Sequence, residues 1–329
     1  PMLFACVPRV IELFYDKIIG KGKELSLLKK AIFFWAVNLG LRYKRNHNKW
    51  YGLRLKLADK LVFCKWREAL GGNLKIIVSG GAALQERFGR IFGAAGIVVA
   101  EGYGLTETSP VIAVSNISRG EVLYGTVGPV LEGVQIKFAD DGEILCKGPN
   151  VMLGYYKDPA MTKEVIKDGW FHTGDIGTLI DGKFLKITDR KKEIFKLSSG
   201  KYIAPQVIEN KLKESIFIEQ AMVIGENQKF ASALISPNFS YLHNWATYHH
   251  ISFRDNNDLI TQSRVLELFQ REINHTNSEL GQTEQIKRFR LVTEEWTAAT
   301  GELSPTLKLK RKILYEKYNC QINEIFSLD

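Results

Sequence analysis

The chain has 329 residues, 45% hydrophobic and 25% charged, a balance typical of a globular protein with room for two or three domains. Its formal net charge of +9 fits anionic partners, but it has neither a zinc-finger spacing nor an arginine-rich run interleaved with aromatic residues, so nucleic acid is not an expected partner. Four widely separated cysteines, without a Cys-x-x-Cys spacing, argue against a disulfide framework and a zinc site and predict a reducing, cytoplasmic setting.

The N-terminal part of the chain is predicted to be mainly helical, with helices over 8–20, 24–45, 52–69 and 84–94. The apolar run 31–37 within the second helix is too short to span a bilayer, which takes roughly 18 residues or more. Basic residues flank this run, so an interfacial membrane helix is an alternative to the favoured core helix. A peripheral contact with the inner face of a membrane therefore stays open.

Two apolar runs, 74–78 and 97–100, are predicted to be neighbouring strands of a parallel sheet. Each is followed by a glycine-rich turn, Ser-Gly-Gly-Ala at 79–82 and Glu-Gly-Tyr-Gly at 101–104. Strand, glycine turn, helix and strand form the βαβ alternation of a parallel sheet, whose ligand sites lie at the carboxyl ends of the strands. The two turns are therefore expected to face one crevice.

The second turn continues into Leu-Thr-Glu-Thr at 105–108, whose side chains suit a nucleotide phosphate and its metal. The glycines of the turn lack a Cβ and would let a flat, charged ligand approach the backbone. Thr106 and Thr108 offer hydroxyls to phosphate oxygens, and the Glu107 carboxylate suits Mg²⁺. A strand-to-turn corner with a solvated Thr-Glu pair is the alternative.

Between 120 and 188, short alternating runs separated by Asp-Gly and Gly-Pro turns predict a β-meander or small barrel. The segment Trp-Phe-His-Thr-Gly-Asp at 170–175 lies in this part. Asp175 follows a glycine there, and its carboxylate could accept both hydroxyls of a ribose, although an ordinary turn explains Thr-Gly-Asp equally well. His172 is expected to order the site rather than to act as a base.

The C-terminal part is predicted to be mixed α+β, with a helix near 261–273. Two of its segments, 189–201 and 301–312, are rich in lysine and arginine, and composition alone would make them a basic loop and a basic tail. His249 and His250 lie in a polar stretch without a carboxylate or cysteine at ligand spacing, so a surface loop is expected there.

Four segments, in this order and at these separations, resemble core motifs of the adenylate-forming superfamily, which includes acyl-CoA synthetases, luciferases and peptide-synthetase adenylation domains. The segments are 103–108, 170–175, 189–200 and 304–311. The chain is most similar to the AMP-forming long-chain fatty acyl-CoA synthetases, over essentially its whole length. The resemblance implies an acid–thiol ligase that adenylates a fatty acid with ATP and Mg²⁺ and then forms a thioester with CoA.

The resemblance also implies roles for single residues. The catalytic residues would be Lys308 at the carboxylate and the α-phosphate, Thr106 at the α-phosphate, Glu107 at Mg²⁺, Arg190 beside the ribose, and Lys192 as the hinge of a rotating C-terminal domain. The cofactor-binding residues would be Gly80, Gly81, Ala82 and Ala83 along the adenine, Glu101, Gly102, Tyr103 and Gly104 with Tyr103 stacked on the ring, Asp175 at the ribose hydroxyls, and Ser199 and Gly200 along the pantetheine of CoA.

The expected fold class combines α/β and α+β architecture. An incomplete parallel-sheet α/β subdomain is expected over 1–118 and a β-rich, barrel-like subdomain over 119–189. A hinge at 190–192 would join them to a mobile α+β lid domain over 193–329.

The chain departs from the superfamily in two respects. The phosphate-binding loop rich in Ser, Thr and Gly should precede the first βαβ unit and is not found, so the chain is expected to be the C-terminal portion of a synthetase and to be inactive or nearly so alone. Leu307 stands where much of the superfamily has glycine, which leaves Lys310 as an alternative to Lys308 as the adenylation lysine.

Two other functions remain open from the sequence. The chain could belong to an adenylating enzyme that passes its acyl group to a carrier protein or to oxygen. It could also be a non-catalytic nucleotide-binding module. Acyl-chain length and oligomeric state have no signal in the sequence.

Overall fold

The computed structural model describes residues 1–305 and 307–327 of the protein. The chain folds into two compact units, Pro1–Ile187 and Thr188–Asp329, each with its own buried apolar core. The boundary lies within a strand, just before the predicted hinge at 190–192. The hinge and the finer domain limits stay predictions.

The first sheet has four strands in the order β1-β2-β3-β4, of which the first three run parallel and the fourth returns antiparallel. The strands are β1 (Leu3–Cys6), β2 (Ile76–Ser79), β3 (Val98–Gly104) and β4 (Val111–Val114). The predicted βαβ alternation is confirmed. β1 was not predicted; its residues are exposed or half-buried, and it is recognised only by its parallel pairing with β2.

Five helices accompany this sheet, and a π-helical turn at Asp59–Phe63 joins the third to the fourth. They are α1 (Pro8–Lys23), α2 (Leu27–Leu41), α3 (Lys49–Ala58), α4 (Cys64–Ala69) and α5 (Glu86–Ala94). The predicted helix over 24–45 ends early, at Leu41. The predicted helix over 52–69 begins early, because Oδ1 of Asn48 caps α3 by accepting a hydrogen bond from the backbone N–H of Tyr51 (2.8 Å).

The run 31–37 lies in α2 and contributes to the core of the first unit. Phe33, Ala36 and Val37 are buried, so the core-helix interpretation is confirmed for this run. Large side chains from the other helices and from β2 complete the core: Ile11, Phe63, Trp66, Ile77, Phe88 and Phe92. Throughout the described stretches, every helix is too short or too polar to cross a bilayer.

The second sheet of this unit contains five strands, in the order β5-β6-β8-β7 with β9 paired to β8. The elements are β5 (Gln135–Phe138), β6 (Glu143–Lys147), α6 (Pro159–Val165), β7 (Ile166–Lys167), β8 (Trp170–Ile180) and β9 (Phe184–Arg190). Asp181 and Gly182 both have positive φ between β8 and β9, as a tight hairpin turn requires. The predicted β-rich character of this segment is confirmed, but β6 pairs with β8 and not with its neighbour in the chain, β7, so the strands do not form a simple meander.

The second unit is built on a three-stranded sheet in the order β12-β13-β14. The strands of the whole unit are β10 (Phe195–Lys196), β11 (Tyr202–Ile203), β12 (Ile218–Ile224), β13 (Ala231–Pro237) and β14 (Ile286–Leu291), and β10 pairs separately with β11. Its helices are α7 (Pro205–Leu212), α8 (Phe239–Tyr248), α9 (Asn256–Thr261), α10 (Ser263–Asn277), α11 (Arg311–Lys317) and α12 (Asn319–Ser327). The predicted apolar face of α10 is buried, with Val265 and Phe269 inaccessible to solvent. The α/β and α+β fold class is confirmed.

Candidate active site

The carboxyl ends of β2 and β3 lie side by side, because the strands pair in parallel with Ser79 opposite Glu101. Gly80, directly after β2, approaches β3 closely: a Cβ built on it would lie 3.7 Å from the carbonyl oxygen of Gly102. The other predicted adenine residues are exposed at this edge: Gly81, Ala82 and Ala83. The expected adjacency of the two segments is confirmed.

The second segment is a strand and not a turn, which corrects the prediction. β4 returns antiparallel and pairs Gly102 with Val114 and Tyr103 with Ala113, so tertiary pairing overrides the local glycine signal. Glycine is needed at position 104 to make room for the returning chain, and not, as predicted, to let a ligand approach the backbone. A Cβ there would lie 1.7 Å from the carbonyl oxygen of Pro110, so the returning chain occupies that space.

Tyr103 points at Asp175. The Tyr103 hydroxyl donates a hydrogen bond to Oδ2 of Asp175 over 2.8 Å, and only 6% of Asp175 is exposed. Burial, reinforced by the nearby carboxylate, raises the pKa of the Tyr103 phenol well above its usual range. Tyr103, which is predicted to stack on the adenine, therefore also holds the carboxylate of Asp175, which is predicted to bind the ribose.

Asp175 lies on a bulge of β8 that Glu143 of β6 holds in place. The ladder register shifts between Glu143 and Leu145, and Gly174 takes a positive φ of 72° on the bulged strand. The buried Glu143 carboxylate accepts the Gly174 backbone N–H through Oε1 (3.0 Å), and its Oε2 lies 3.1 Å from Nδ1 of His172. His172 is thus placed to order the strand. Glu143 was not singled out in the sequence, where its only signal is a carboxylate beside an apolar run.

Glu101 is buried at the end of the β2–β3 pairing. Burial raises the pKa of its carboxyl to about 8, against an ordinary value of 4.5, although backbone N–H groups of Gly125 and Leu84 donate to it. Those hydrogen bonds tie β3 to two loops. A direct contact of Glu101 with a cofactor stays a prediction.

The segment Thr106–Thr108 forms a single 3₁₀ turn that separates its two threonines. Thr106 is exposed. Thr108 is fully buried, and its hydroxyl accepts the Leu105 backbone N–H (3.0 Å) and donates to the Pro110 carbonyl (2.7 Å). Thr108 therefore secures the turn and cannot offer its hydroxyl to a phosphate, contrary to the prediction.

Glu107, the predicted Mg²⁺ ligand, is half-buried between two anchors. Its Oε1 accepts a hydrogen bond from the Tyr155 hydroxyl (2.9 Å), and its carbonyl accepts the Met152 N–H (2.8 Å). Among the residues that the structure describes, no three His, Cys, Asp or Glu side chains are grouped to hold a metal. A lone, oriented carboxylate still fits Mg²⁺, which usually takes one or two carboxylates together with water and substrate phosphates.

In the second unit, Asp189 anchors the segment that carries Arg190 and Lys192. Asp189 is fully buried and accepts the backbone N–H groups of Arg190 (2.6 Å) and Gln206 (2.9 Å). Burial raises the pKa of Asp189 to about 7, and these two N–H groups only partly offset it. Arg190 and Lys192 are exposed directly after this anchor.

The predicted pantetheine residues lie in the hairpin between β10 and β11. Ser199 and Gly200 are exposed, and Gly200 has a positive φ of 84°. The Gly200 N–H donates to the Leu197 carbonyl (2.9 Å), and the Leu197 N–H donates to the Lys201 carbonyl (2.9 Å). The tight, glycine-dependent turn leaves backbone accessible to a ligand.

Lys308 directly precedes Leu309, which forms a small antiparallel bridge with Leu303. Its backbone N–H donates to the Ser304 hydroxyl (3.0 Å), and its carbonyl accepts the Ser304 N–H (2.8 Å). Leu307 has a φ of 61°, the left-handed region that glycine occupies without strain. The glycine that the superfamily resemblance implies at this position would take this torsion without strain. The choice between Lys308 and Lys310 stays open.

Arg311 links the segment after Lys308 to the predicted hinge region, a relation the sequence did not suggest. Its guanidinium binds Glu193 through Nε (3.0 Å) and Glu209 through Nη2 (2.8 Å), and its side chain is 16% exposed. Glu209 also accepts the Val223 backbone N–H (2.8 Å), and Glu193 accepts the Gln206 side-chain amide (3.0 Å). The ion pairs raise the pKa of Arg311 despite its burial. No spacing rule connects residues this far apart in the chain.

The histidine pair directly follows helix α8. His249 contacts Arg264 through its carbonyl oxygen, which accepts from Nη1 (3.0 Å), and His250 has a positive φ in the loop after α8. The surface-loop prediction for the pair is confirmed.

Comparison with known proteins decides the family. Residues 1–156 match the AMP-binding enzyme family, and residues 192–328 match the AMP-binding enzyme C-terminal domain. The chain belongs to the AMP-binding enzymes. The predicted adenylate-forming family is thereby confirmed, and the two matched regions flank the segment that contains the boundary between the units.

Named relatives share this family. The chain is 35% identical to long-chain-fatty-acid–CoA ligase FadD15 of Mycobacterium bovis, over 99% of this chain and 55% of the relative. It is 34% identical to long-chain-fatty-acid–CoA ligase 1 of Homo sapiens, over 99% of this chain and 48% of the relative. The chain thus spans about half the length of the curated relatives it matches.

Solved structures show the same fold. The A domain of carboxylic acid reductase from Segniliparus rugosus, in complex with AMP and a co-purified carboxylic acid, has a TM-score of 0.70 at 19% identity and is covered over 47% of its length by 99% of this chain. The didomain of the same enzyme in complex with AMP has a TM-score of 0.69 at 20% identity.

Proposed function

We propose that this chain is the nucleotide- and CoA-binding portion of an ATP-dependent, AMP-forming long-chain fatty acid–CoA ligase. The carrying observation is the similarity to long-chain-fatty-acid–CoA ligases at 34–35% identity over 99% of the chain. Support from geometry comes from the Tyr103–Asp175 pair, which presents a ring and a fixed carboxylate together at the end of the parallel sheet.

The proposed reaction has two steps. An oxygen of the fatty acid carboxylate attacks the α-phosphorus of ATP, and pyrophosphate leaves. The sulfur of CoA then attacks the acyl carbonyl, and AMP leaves with the electron pair of the broken carbon–oxygen bond. Bound Mg²⁺ supplies charge neutralisation on the phosphates.

The chain's own residues have distinct parts in this proposal. Asp175 accepts the ribose hydroxyls. Thr106 donates to the α-phosphate, and Glu107 is the carboxylate that would hold Mg²⁺. Glu101 holds β3 in place from the interior, through its hydrogen bonds to two loops.

The remaining assignments concern the second unit. Lys308 offsets negative charge that develops at the α-phosphate, and Arg190 adds positive charge beside the ribose. Ser199 and Gly200 lie along the pantetheine in the thioester-forming step. Lys192 is proposed as the hinge that exchanges these two sets of residues. Peripheral contact with a membrane and a cytoplasmic location complete the proposal, the latter resting on four free thiols.

The test measures the two half-reactions separately, in the full-length protein. Lys308→Ala should lower ATP- and fatty-acid-dependent pyrophosphate release by about 10²–10³-fold, because one charge-stabilising donor is lost. The same variant should still convert supplied acyl-adenylate and CoA to acyl-CoA. Lys310→Ala is the matched control, since it removes a neighbouring lysine. Equal loss of both half-reactions in Lys308→Ala, or a larger loss in Lys310→Ala, would contradict the assignment.

A further inference from the structure

The loop between β6 and α6 holds Glu107 at two points. The Met152 backbone N–H donates to the Glu107 carbonyl (2.8 Å), and the Tyr155 hydroxyl donates to Oε1 of the Glu107 side chain (2.9 Å). The loop therefore restrains both the backbone and the carboxylate of the predicted Mg²⁺ ligand. Residues 152–155 are termed the Glu107 brace. Because Glu107 and Tyr155 are 48 positions apart, only the fold of the first unit brings them together.

The Glu107 brace is itself secured by helix α6, so the backbone of Tyr155 is fixed. The Tyr155 N–H donates to Oγ1 of Thr162 (2.9 Å), and the Thr162 hydroxyl donates to the Asp158 carbonyl (2.8 Å). Gly154 packs closely on the same threonine: a Cβ built on it would lie 2.8 Å from Cγ2 of Thr162. Asp158 caps α6 by accepting the Met161 N–H through Oδ1 (2.9 Å). The Tyr155 hydroxyl is therefore presented to Glu107 from an anchored position.

The Glu107 brace takes only one oxygen of the carboxylate. Oε1 accepts the Tyr155 hydroxyl, whereas Oε2 accepts no hydrogen bond from any residue that the structure describes. Mg²⁺ demands near-octahedral geometry and usually takes one or two carboxylates, with water and phosphate oxygens as its other ligands. A carboxylate whose orientation is already fixed can bind such a cation with less loss of side-chain freedom than a mobile glutamate.

We propose that Tyr155 is a positioning residue for the Mg²⁺ that accompanies ATP. By holding Oε1 through its hydroxyl, Tyr155 fixes the carboxylate so that Oε2 can bind the cation. Hydrogen-bond partners of metal-binding carboxylates orient those ligands, and their loss typically weakens metal binding. Tyr155 acts through Glu107 and needs no contact of its own with the nucleotide or the metal. The inference rests on the proposed function, to which it adds the residue that orients the metal ligand.

The test compares two nucleotides that differ in their need for the metal, in the full-length protein and without fatty acid. Calorimetry measures the affinity for ATP with excess Mg²⁺ and the affinity for AMP with EDTA. Tyr155→Phe removes only the hydroxyl and should lower the affinity for ATP with Mg²⁺ by about tenfold. The affinity for AMP should stay unchanged, because the predicted AMP contacts lie at Tyr103 and Asp175. A merely structural role of Tyr155 would lower both affinities.

The neighbouring tyrosine supplies the matched control. Tyr156 is 88% exposed, and the centroid of its ring lies 5.3 Å from Nζ of Lys157. Tyr156→Phe removes the same atom one position away and should change neither affinity. Glu107→Gln should lower the affinity for ATP with Mg²⁺ at least as much as Tyr155→Phe. The double variant should bind as Glu107→Gln does, because the phenol acts only through the carboxylate.

Equal affinity of Tyr155→Phe and Tyr156→Phe for ATP with Mg²⁺ would overturn the inference. The same holds if Tyr155→Phe loses as much affinity for AMP as for ATP, or if the double variant binds ATP clearly more weakly than Glu107→Gln. Failure of the proposed function has a different signature. The unaltered protein would then bind neither nucleotide, or would bind both without releasing pyrophosphate when fatty acid is added.

Discussion

The phenolic oxygen of Tyr103 lies 2.8 Å from Oδ2 of Asp175, which joins a strand of the parallel sheet to the bulged strand of the β-rich sheet. Both residues carry predicted contacts with the nucleotide. Because the phenol keeps its proton at neutral pH, it acts as a constant donor to the carboxylate. The adenine and ribose contacts are therefore expected to be coupled.

Tyr103→Phe tests this coupling. Loss of the donor leaves a nearly buried carboxylate oxygen without that partner, which should cost about 1–3 kcal/mol in stability. Affinity for AMP should fall as well, although the aromatic face is kept, and calorimetry with AMP together with denaturant unfolding measures both. Tyr202→Phe is the control, because its ring is 70% exposed in the other unit. Unchanged AMP affinity in Tyr103→Phe would show that the bond does not position Asp175 for the ligand.

Glu101 predicts a pH dependence of stability. Its pKa is about 8 in the folded protein and near 4.5 when unfolded, so the folded state holds the extra proton between these values. Its stabilising effect is therefore complete below about pH 4.5 and is lost as pH rises through 8, by a few kcal/mol in all.

Glu101→Gln should remove that part of the pH profile, because the amide stays neutral at every pH. Melting temperatures from pH 5 to 9 should fall less steeply with pH in Glu101→Gln than in the unaltered chain. The exposed Glu132→Gln serves as the control and should leave the profile unchanged. Parallel profiles for the unaltered chain and Glu101→Gln would mean that Glu101 is ionised in the fold.

Substitution by alanine is expected to affect stability strongly at Gly104 and hardly at all at Gly80. A methyl group at Gly104 would overlap the Pro110 carbonyl at 1.7 Å, so Gly104→Ala should displace β4 and destabilise the fold by roughly 3 kcal/mol or more. At Gly80 the nearest atom is 3.7 Å away, an ordinary contact, so Gly80→Ala should change stability by less than about 0.5 kcal/mol. Denaturant unfolding of the two variants measures the contrast, and similar losses would count against this packing.

Arg311 should contribute strongly to the stability of the second unit. Arg311→Met leaves Glu193 and Glu209 without their cation, and breaking a buried pair in this way typically costs about 3–5 kcal/mol. Adding Glu209→Gln should recover part of the loss, since it removes one buried charge.

The control for Arg311 is an exposed ion pair in the same unit. Arg290 and Glu324 lie 3.8 Å apart with 45% and 62% of their side chains exposed, so Arg290→Met should cost no more than about 0.5 kcal/mol. Chemical denaturation compares the variants. A small loss in Arg311→Met, or none recovered by Glu209→Gln, would argue that the network contributes little.

Sequence patterns predicted the fold class because apolar periodicity and turn chemistry are local. The hairpin at Asp181 and Gly182 and the buried face of α10 follow from such signals. The strand through Gly102–Gly104 could not be foreseen, since it exists only because β4 returns to pair with it.

The site also combines features that local sequence signals predict with features that only tertiary packing determines. Residue types at Thr106, Glu107 and Asp175 are readable from motifs, but the residues that hold them are not. The Thr108 hydroxyl is buried and binds the Pro110 carbonyl, and Glu143 binds the backbone of the strand that carries Asp175. Both sets of hydrogen bonds depend on tertiary packing. Supporting residues of this kind have no fixed spacing from the groups they orient.

Leu307 gives the lysine loop an unusual kind of restraint. Its backbone adopts a torsion that disfavours a branched side chain, yet the side chain packs against the cluster containing Trp296 and Leu303. Packing of the Leu307 side chain thus offsets the energetic cost of its positive φ. Glycine at this position would avoid that cost but would leave the backbone freer to move. The peptide before Lys308 should therefore swing less here than in a glycine-bearing homologue, and slower amide hydrogen exchange at Lys308 than in Leu307→Gly would reveal it.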